Sequence, residues 1–238
     1  MTGVLVLSAV ELEARGLARE LELPRLAPFP FPVYERSTRR ARLRLAPAGL
    51  RAALLPDRWA ALVADLGCPL VIAAGTCGAL APGLQVGDLV LPESVLGLAG
   101  ERLNVTPSVH GAAVRLADEA CTGLLLTSAE VVATREAKAE RWRATGAAAV
   151  DMDSAPILAW ASRQGCPTLV VRAVSDSARQ HLPAELVGLV TREGKLSPRR
   201  AVALAVIRPL TIPRALALRR GAGKALNSVA RLIAALFG

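Results

Sequence analysis

The chain alternates short apolar runs with stretches of helical periodicity. Six runs consist mainly of Val, Leu, Ile and Ala without polar alternation, which predicts strands buried on both faces. They are GVLVLSAV (3–10), PLVIAAG (69–75), DLVLPE (88–93), GLLLTS (123–128), AAAVDM (147–152) and TLVVRAV (168–174). A seventh segment, ARLRLA (41–46), alternates strictly and predicts a half-exposed antiparallel strand.

Helical patterns separate these runs. They are DRWAALVADLG (57–67), SVHGAAVRLADEAC (108–121), TREAKAERWRATG (134–146) and DSAPILAWASRQG (153–165). Thr134 is the predicted N-cap of the third helix, and glycines end three of the four. The first strand leads into a further helix, whereas APFPFP (27–32) predicts a loop because proline is excluded from central strands. The alternation predicts an α/β fold with a mixed, mainly parallel central sheet flanked by helices.

The net positive charge of the chain lies at its C-terminal end. Aromatic residues make up only 3% of the 238 residues, so the core must be built from Ala, Leu and Val. Residues 1–191 hold 19 basic and 19 acidic side chains, whereas residues 192–238 hold ten basic residues and one acid. We therefore predict a neutral domain over 1–191, followed by a basic helical extension over 192–238.

The basic extension allows two interpretations. It reads as three short segments broken at Pro209, Pro213 and Gly221, and the last segment carries an apolar stripe at helical spacing. The stripe consists of Leu226, Val229, Ile233, Leu236 and Phe237. Either this helix packs on the domain, or it is an interfacial anchor that contacts the inner face of an anionic membrane. Nucleic acid is disfavoured as a partner because Phe237 is the extension's only aromatic residue.

The remaining composition narrows the compartment and the chemistry. No apolar run reaches the roughly 18 residues needed to cross a bilayer, and the first residues lack a basic leader, which indicates a cytoplasmic protein. The four cysteines form no CxxC pair and are expected to be reduced thiols. Since His110 and His181 have no close ligand partner, neither a metal nor a cofactor is expected.

Polar residues at the predicted strand ends are candidates for chemistry, because ligands gather at the carboxyl ends of parallel strands. In GTCG (75–78), backbone N–H groups and the Thr76 hydroxyl could hold an anion or sugar hydroxyls, unless this is an ordinary glycine turn. In VDMDSA (150–155), Asp151 and Asp153 flank Met152. They either serve a site or merely stabilise the start of a helix.

Asp176 in RAVSD ends a buried strand. Loss of solvent there should raise its pKa, and Arg172, roughly 13 Å away along the strand, is too distant to oppose this. A partly protonated acid is the expectation, with a capping Asp on a loop as the alternative. Glu13, in the first turn of the first helix, has little meaning when considered by itself.

Together these motifs resemble the nucleoside phosphorylase and nucleosidase superfamily. Its pattern has an early Glu after strand one, then GSxGGLxPxLxVGDxVxP, VxMES/A and RxISD. This chain has Glu13, GTCGALAPGLQVGDLVLP, VDMDSA and RAVSD in the same order, so the resemblance spans roughly residues 3–182. The stretch SAEVVATREAKAERWRATGAAAVDMDS and the basic C-terminus look most like the hopanoid-associated branch, whose implied substrate is a hopanoid-linked purine nucleoside.

The resemblance implies a role for each motif residue. Asp176, supported by Ser175, is the implied general acid toward the purine, a role worth typically ~10²–10⁴-fold. Asp153 would hold the ribose hydroxyls, Met152 would form an apolar floor, and Thr76 would face the ribose or the nucleophile. The other implied contacts are made by Cys77, Gly78, Val132 and Arg172, and Glu13 matches the acid that nucleosidases use to hold water.

Several departures from the family pattern leave the reaction open. Asp153 replaces the usual Glu, Thr76 replaces Ser, the glycine-rich segment is reduced to APAGL (46–50), and Ala73 stands where phosphorylases often have Arg. We predict phosphorolysis of a purine nucleoside, with Arg15 or Arg172 serving phosphate. The alternatives are hydrolysis, of the methylthioadenosine/adenosylhomocysteine or futalosine type, and a non-catalytic nucleoside-binding protein at the membrane. The family also implies a homodimer or larger oligomer.

Overall fold

The computed structural model describes residues 2–117, 119–182 and 212–238. The strands are β1 (Thr2–Ser8), β2 (Tyr34–Ser37), β3 (Ala41–Pro47), β4 (Leu70–Ala79), β5 (Leu89–Val90), β6 (Ser94–Leu96), β7 (Arg102–Asn104), β8 (Leu125–Thr127), β9 (Ala149–Asp151) and β10 (Thr168–Asp176). The helices are α1 (Glu11–Glu20), α2 (Leu55–Val63), α3 (Pro107–Arg115), α4 (Arg135–Thr145), α5 (Ser154–Arg163) and α6 (Ile212–Phe237), with a 3₁₀ turn at Leu50–Ala52.

The strands form one mixed sheet with the order β2-β3-β1-β4-β9-β8-β6-β7, and β10 pairs with both β4 and β5. The pairs β1–β3, β1–β4, β4–β10, β6–β8 and β8–β9 are parallel. The pairs β2–β3, β4–β9, β5–β10 and β6–β7 are antiparallel. The predicted α/β class, with a central sheet flanked by helices, is confirmed.

Two apolar layers cover the faces of the sheet. Leu5 and Leu7 of β1 point into one layer, which α2 and α5 cover, while Val4 and Val6 point into the other, which α1, α3 and α6 cover. This is the arrangement expected for strands without polar alternation, because both faces of such strands are buried. Thr134 caps α4 by accepting a hydrogen bond from the Ala137 N–H, as predicted.

The prediction for residues 41–46 requires a correction. β3 pairs in parallel with β1 and antiparallel with β2, and it is almost fully buried rather than half-exposed. Its alternation is misleading because Arg44, with 1% of its surface exposed, is neutralised by Glu35 and Asp65. A buried arginine is tolerated when its charge and its donors are satisfied in this way.

The predicted breaks in the C-terminal extension also require a correction. α6 runs without interruption through Gly221, and Pro213 lies in its first turn, where the missing N–H is tolerated. Pro209 and the proposed boundary between residues 191 and 192 lie outside the described residues. No helix in the described part of the chain is both long and apolar enough to span a bilayer.

The apolar stripe of α6 packs on the domain, against β10, β4 and α1. Leu226, Val229 and Ile233 are buried in the same apolar layer as α1, and Leu236 and Phe237 pack against its edge. Gly221 allows the closest approach, because a Cβ at this position would overlap the backbone carbonyl of Ser175. Of the two interpretations of the stripe, packing on the domain is the one that the structure shows.

Candidate active site

The predicted motifs meet around β4. β10 pairs with β4 so that Arg172 lies opposite Gly75 and Asp176 lies opposite Gly78. β9, which leads into the VDMDSA motif, pairs antiparallel with the same end of β4. β1, another neighbour of β4, leads into α1 and brings Glu13 to the same region. Residues 75–78 are therefore part of a strand and not the glycine turn that the sequence suggests.

Glu13 and Thr76 are directly bonded. The Thr76 backbone N–H and hydroxyl both donate to Glu13 Oε1, at 3.0 and 2.8 Å. The second oxygen, Oε2, is buried and has no hydrogen-bond partner among the described residues. Burying an unsatisfied carboxylate oxygen is costly, so this atom is well suited to accept a hydrogen bond from a bound water or hydroxyl group.

Arg172 is a buried cation surrounded by carboxyl groups. Its NH2 lies 2.8 Å from Asp151 Oδ2, without hydrogen-bonding alignment, and its Nε donates to Ser154 Oγ at 3.1 Å. Burial acts to lower the pKa of Arg172, but the carboxylates of Asp151, Glu13 and Asp153 raise it above its usual value. Arg172 is therefore firmly charged and compensates the acids around it.

Gly75 provides the space in which Glu13 and Arg172 approach the sheet. Its φ of 150° is rarely adopted by other residues. A Cβ at this position would lie 2.5 Å from Arg172 NH1 and 2.9 Å from Glu13 Oε2. This glycine is therefore needed for both its conformation and its lack of a side chain.

Asp151 and Asp153 have different surroundings. Asp151 accepts hydrogen bonds from Thr127 Oγ1 at 2.8 Å and from the Ser154 N–H at 3.0 Å. Asp153 makes no such contact with the start of α5, and its Oδ1 accepts the Arg51 N–H at 2.6 Å. The helix-start interpretation therefore applies to Asp151, whereas Asp153 remains available for a ligand.

Burial, followed by the charge of Asp151, raises the pKa of Asp153 to about 7. The N–H that satisfies it comes from Arg51, directly after the reduced glycine stretch, and Gly49, Arg51 and Ala52 all have positive φ. Two non-glycine residues in this left-handed conformation store strain, as is common beside functional sites. Met152 is half-buried between the two aspartates.

Asp176 lies at an irregularity near the end of β10. The register slips between Val174 and Asp176, and the resulting bulge sets the carboxyl group against Gly78. A Cβ at Gly78 would lie 3.1 Å from Asp176 Oδ2, so the missing side chain makes room for the acid. The Ser175 hydroxyl lies 2.7 Å from Asp176 Oδ1 and 3.1 Å from the Cys77 carbonyl oxygen.

Lys138 is a site residue that the sequence prediction missed. Its Nζ, fully buried, lies 2.5 Å from Asp176 Oδ2 and also donates to the carbonyl oxygens of Ser177 at 2.8 Å and Gln180 at 3.3 Å. The sequence analysis considered only Arg172 as a cation for Asp176, whereas Lys138 reaches the carboxyl group from α4. The ammonium stabilises the negative carboxylate.

One signal in the sequence could have drawn attention to Lys138. The chain has 29 basic residues, and only three of them are lysines. Lys138 is nevertheless surrounded in α4 by charged residues that are exposed, so the periodicity of the helix gives no indication that this position is buried.

The other predicted residues have mixed outcomes. The Cys77 side chain lies in the hydrophobic core, where burial raises its pKa well above the usual value, so only its backbone is at the site. Val132 packs beside Leu126 and Val150 in a small apolar cluster. Arg15 is exposed and pairs with Glu11 on α1, and its contact with phosphate stays a prediction.

Comparison with known proteins shows which family the chain belongs to. A futalosine hydrolase from Streptomyces coelicolor is 32% identical over 231 residues, covering 82% of this chain and 95% of that protein. Among solved structures, we find a mutant of the Helicobacter pylori 5'-methylthioadenosine/S-adenosyl homocysteine nucleosidase (MTAN) with 5'-methylthioadenosine in its active site. It has a TM-score of 0.73 and 14% identity, covering 99% of this chain and 98% of that chain. The futalosine hydrolase of H. pylori has a TM-score of 0.72 and 14% identity, covering 98% and 95%.

These two structural likenesses establish the fold alone. The family rests on the sequence, since residues 58–207 match the profile of the phosphorylase superfamily. That match covers more than half of the chain, and the 32% identical relative covers most of it. The chain therefore belongs to the phosphorylase superfamily.

Proposed function

We propose that the protein hydrolyses the N-glycosidic bond of a purine nucleoside and releases the free base. The observation that carries this proposal is the buried Oε2 of Glu13, which has no hydrogen-bond partner within residues 2–117, 119–182 and 212–238 and lies beside Thr76 and Arg172. A water molecule bonded to this oxygen would be held as a nucleophile, and Glu13 would accept its proton as the new C–O bond forms.

The charge of the site favours water over phosphate. Three carboxyl groups, those of Glu13, Asp151 and Asp153, surround the single guanidinium of Arg172. Burial raises the pKa of Asp153 to about 7, so part of the negative charge of this third acid is also present at neutral pH. A phosphate dianion would be repelled in such surroundings, whereas a neutral water molecule would not. Hydrolysis is therefore better supported than the phosphorolysis first predicted.

The same carboxyl groups suit the chemistry of the sugar. Breaking the glycosidic bond gives the ribose an oxocarbenium-like positive charge, which fixed carboxylates stabilise. Asp153 would hold the ribose hydroxyls, with Met152 forming the apolar floor. In this assignment no metal or other cofactor takes part.

The purine base is a poor leaving group as an anion, so it needs to receive a proton as the glycosidic bond breaks. Asp176 would deliver that proton to the purine. The buried ammonium of Lys138 would then supply a new proton to the Asp176 carboxylate. Ser175 orients the carboxyl group through its 2.7 Å contact with Oδ1. Asp176 is thus proposed to pass a proton from the ammonium of Lys138 to the purine.

We propose futalosine as the first substrate to test, because the 32% identical relative is a futalosine hydrolase. 5'-Methylthioadenosine, the ligand of a structural neighbour, is the second. Phosphorolysis and a hopanoid-linked adenosine remain predictions from the sequence resemblance, so adenosine is included as the third.

The test is to incubate each nucleoside with the protein in isotopically labelled water, with and without phosphate. We expect free base, the label at C1 of the sugar, and a rate that does not depend on phosphate. The Glu13→Gln variant should lose activity, whereas Thr76→Ser, which keeps the hydroxyl, should retain most of it. Formation of the corresponding unlabelled sugar 1-phosphate would overturn hydrolysis, and release of no base from any substrate would support a non-catalytic binding protein.

A further inference from the structure

Two cysteines meet at the end of the sheet opposite the candidate site. Cys68 precedes β4 and Cys166 precedes β10, and their sulfur atoms are 3.4 Å apart. The two strands are parallel neighbours with Thr168 opposite Val71, and the Val71 N–H donates to the Pro167 carbonyl at 2.8 Å. The backbones on either side of the pair are therefore fixed relative to one another.

This spacing is compatible with a covalent bond. Neighbouring strands lie about 4.8 Å apart, and the Cα atoms of disulfide-bonded cysteines are usually about 4.4–6.8 Å apart. The sulfur atoms already lie 3.4 Å apart, so a disulfide bond requires them to approach by only about a further 1.4 Å.

The two thiols differ in their access to solvent. Cys68 is exposed, whereas Cys166 is buried. Burial, together with the adjacent Cys68, raises the pKa of Cys166 to about 12, so Cys166 keeps its proton at neutral pH. Since thiolates are the reactive form, an oxidant from solvent reacts first at the accessible Cys68.

We infer that Cys68 and Cys166 form a redox-active pair that a peroxide converts into an intramolecular disulfide. The Cys68 thiolate attacks one peroxide oxygen, the O–O bond breaks, and Cys68 sulfenic acid and hydroxide result. The Cys166 sulfur then attacks the Cys68 sulfur, the S–O bond breaks, and the departing hydroxide takes the Cys166 proton to form water. The pair loses two electrons, and the peroxide is reduced to water.

The bond would act on the stability of the fold and not on the reaction. It would connect residues 98 positions apart in the sequence, so it would restrict the unfolded chain strongly. It would lie at the amino ends of β4 and β10, whereas Thr76 and Asp176 lie toward their carboxyl ends. Thr76 lies eight positions after Cys68, which corresponds to about 26 Å along an extended chain.

The experiment compares the reduced protein with protein treated with hydrogen peroxide. Peptide mapping without reductant should show Cys68 linked to Cys166, with loss of the mass of two hydrogen atoms. The Tm should rise by on the order of 10 °C and return to its original value after reduction. Base release, measured before and after oxidation, should be unchanged, which separates this inference from the proposed function.

Two variants make the result specific. Cys68→Ser should remove both the link and the rise in Tm, whereas Cys121→Ser, which alters a half-buried cysteine elsewhere, should preserve both. Oxidation of Cys68 to a sulfinic acid without a link, a link to another cysteine, or a link that leaves the Tm unchanged would each overturn the inference.

Discussion

The buried ion pair between Asp176 and Lys138 joins a strand end to a helix and lies where we propose that the purine binds. Replacing Asp176 with Asn removes the transferable proton while keeping the size of the side chain. We expect base release to fall more than ~100-fold. Circular dichroism of the variant checks that the fold is retained, and normal turnover at pH 7 would rule out the catalytic assignment.

Lys138→Met tests the pair from its other side. The substitution leaves the Asp176 carboxylate buried without its cation, which should lower the free energy of unfolding by about 3–5 kcal/mol. The double variant Lys138→Met/Asp176→Asn removes both charges and should be more stable than Lys138→Met. Denaturant unfolding of the two variants measures the difference, and equal stabilities would show that the charges do not interact.

Asp153 makes stability depend on pH. Its pKa rises from the ordinary 3.8 to about 7 in the folded protein, so the folded state binds the proton more tightly. The carboxyl group's contribution is therefore most favourable below about pH 4 and is lost as the pH rises toward 7.

Asp153→Asn should remove this loss, since the amide oxygen can still accept the Arg51 N–H. We expect the variant to be more stable than the wild type at pH 8, by on the order of 2–4 kcal/mol, and equally stable near pH 4. Urea unfolding across this range measures the effect. Base release should fall about 10–100-fold, because a charged ribose contact is lost. A stability difference that does not change with pH would contradict the assignment.

At the residue scale, the sequence predicted the positions that motifs carry and missed the one that only tertiary contact creates. Glu13, Thr76, Arg172 and Asp176 come together because strand order brings their motifs to one region. Lys138 lies within the stretch 128–154 that resembles the hopanoid-associated branch, but the resemblance gave it no role, and its burial depends on how α4 meets the segment after β10. Periodicity within α4 carries no information about that contact.

At the scale of elements, the tight contact between α6 and β10 leaves no room for a larger side chain at Gly221. Gly221→Ala would place a methyl group against the rigid Ser175 carbonyl, which should cost about 1–3 kcal/mol. It should also slow base release, because Ser175 orients Asp176. Gly223→Ala is the matched control, since no atom lies near that position outside the helix, and it should stabilise the helix by about 0.5–1 kcal/mol. Thermal unfolding of both variants tests this, and equal effects would contradict the packing argument.

The elements also show which sequence patterns predict structure reliably. The long apolar runs gave strands because burial on both faces requires uninterrupted apolar residues, as in β10. β2, β6 and β7 were missed because three or four residues are too few to display a period. Gly221 was read as a helix break, although here its lack of a side chain serves packing within a helix.

For the whole molecule, the packing of α6 changes the argument about the membrane. A chain shortened to residue 196 would lose Val229 and Ile233 from the core, so its failure to bind vesicles would be uninformative. The exposed side of the helix carries Arg219, Arg220, Lys224 and Arg231. Membrane contact stays a prediction, and it would now depend on charge, because the apolar stripe is buried.

Reversing two of these charges is the appropriate test. If the exposed face binds an anionic surface, Arg219→Glu/Arg220→Glu should reduce sedimentation with anionic liposomes at low salt, since each basic residue contributes on the order of 1 kcal/mol. Neutral liposomes serve as the control, and an unchanged Tm excludes loss of the fold. Equal sedimentation of the variant and the wild type would rule out this face as a membrane contact.

The position of β10 has a consequence for how the chain reaches this structure. β10 pairs with β4, placing Thr168 beside Val71, so one edge of β4 stays unpaired until almost a hundred further residues have been arranged. Such distant pairings make folding slow, because the entropy of closing the intervening chain is lost before any contact compensates for it. During that interval the free backbone N–H and C=O groups along this edge of β4 can pair with another chain. Refolding yield should therefore fall as protein concentration rises, because β4 stays open to other chains until β10, the strand that carries Asp176, has paired with it.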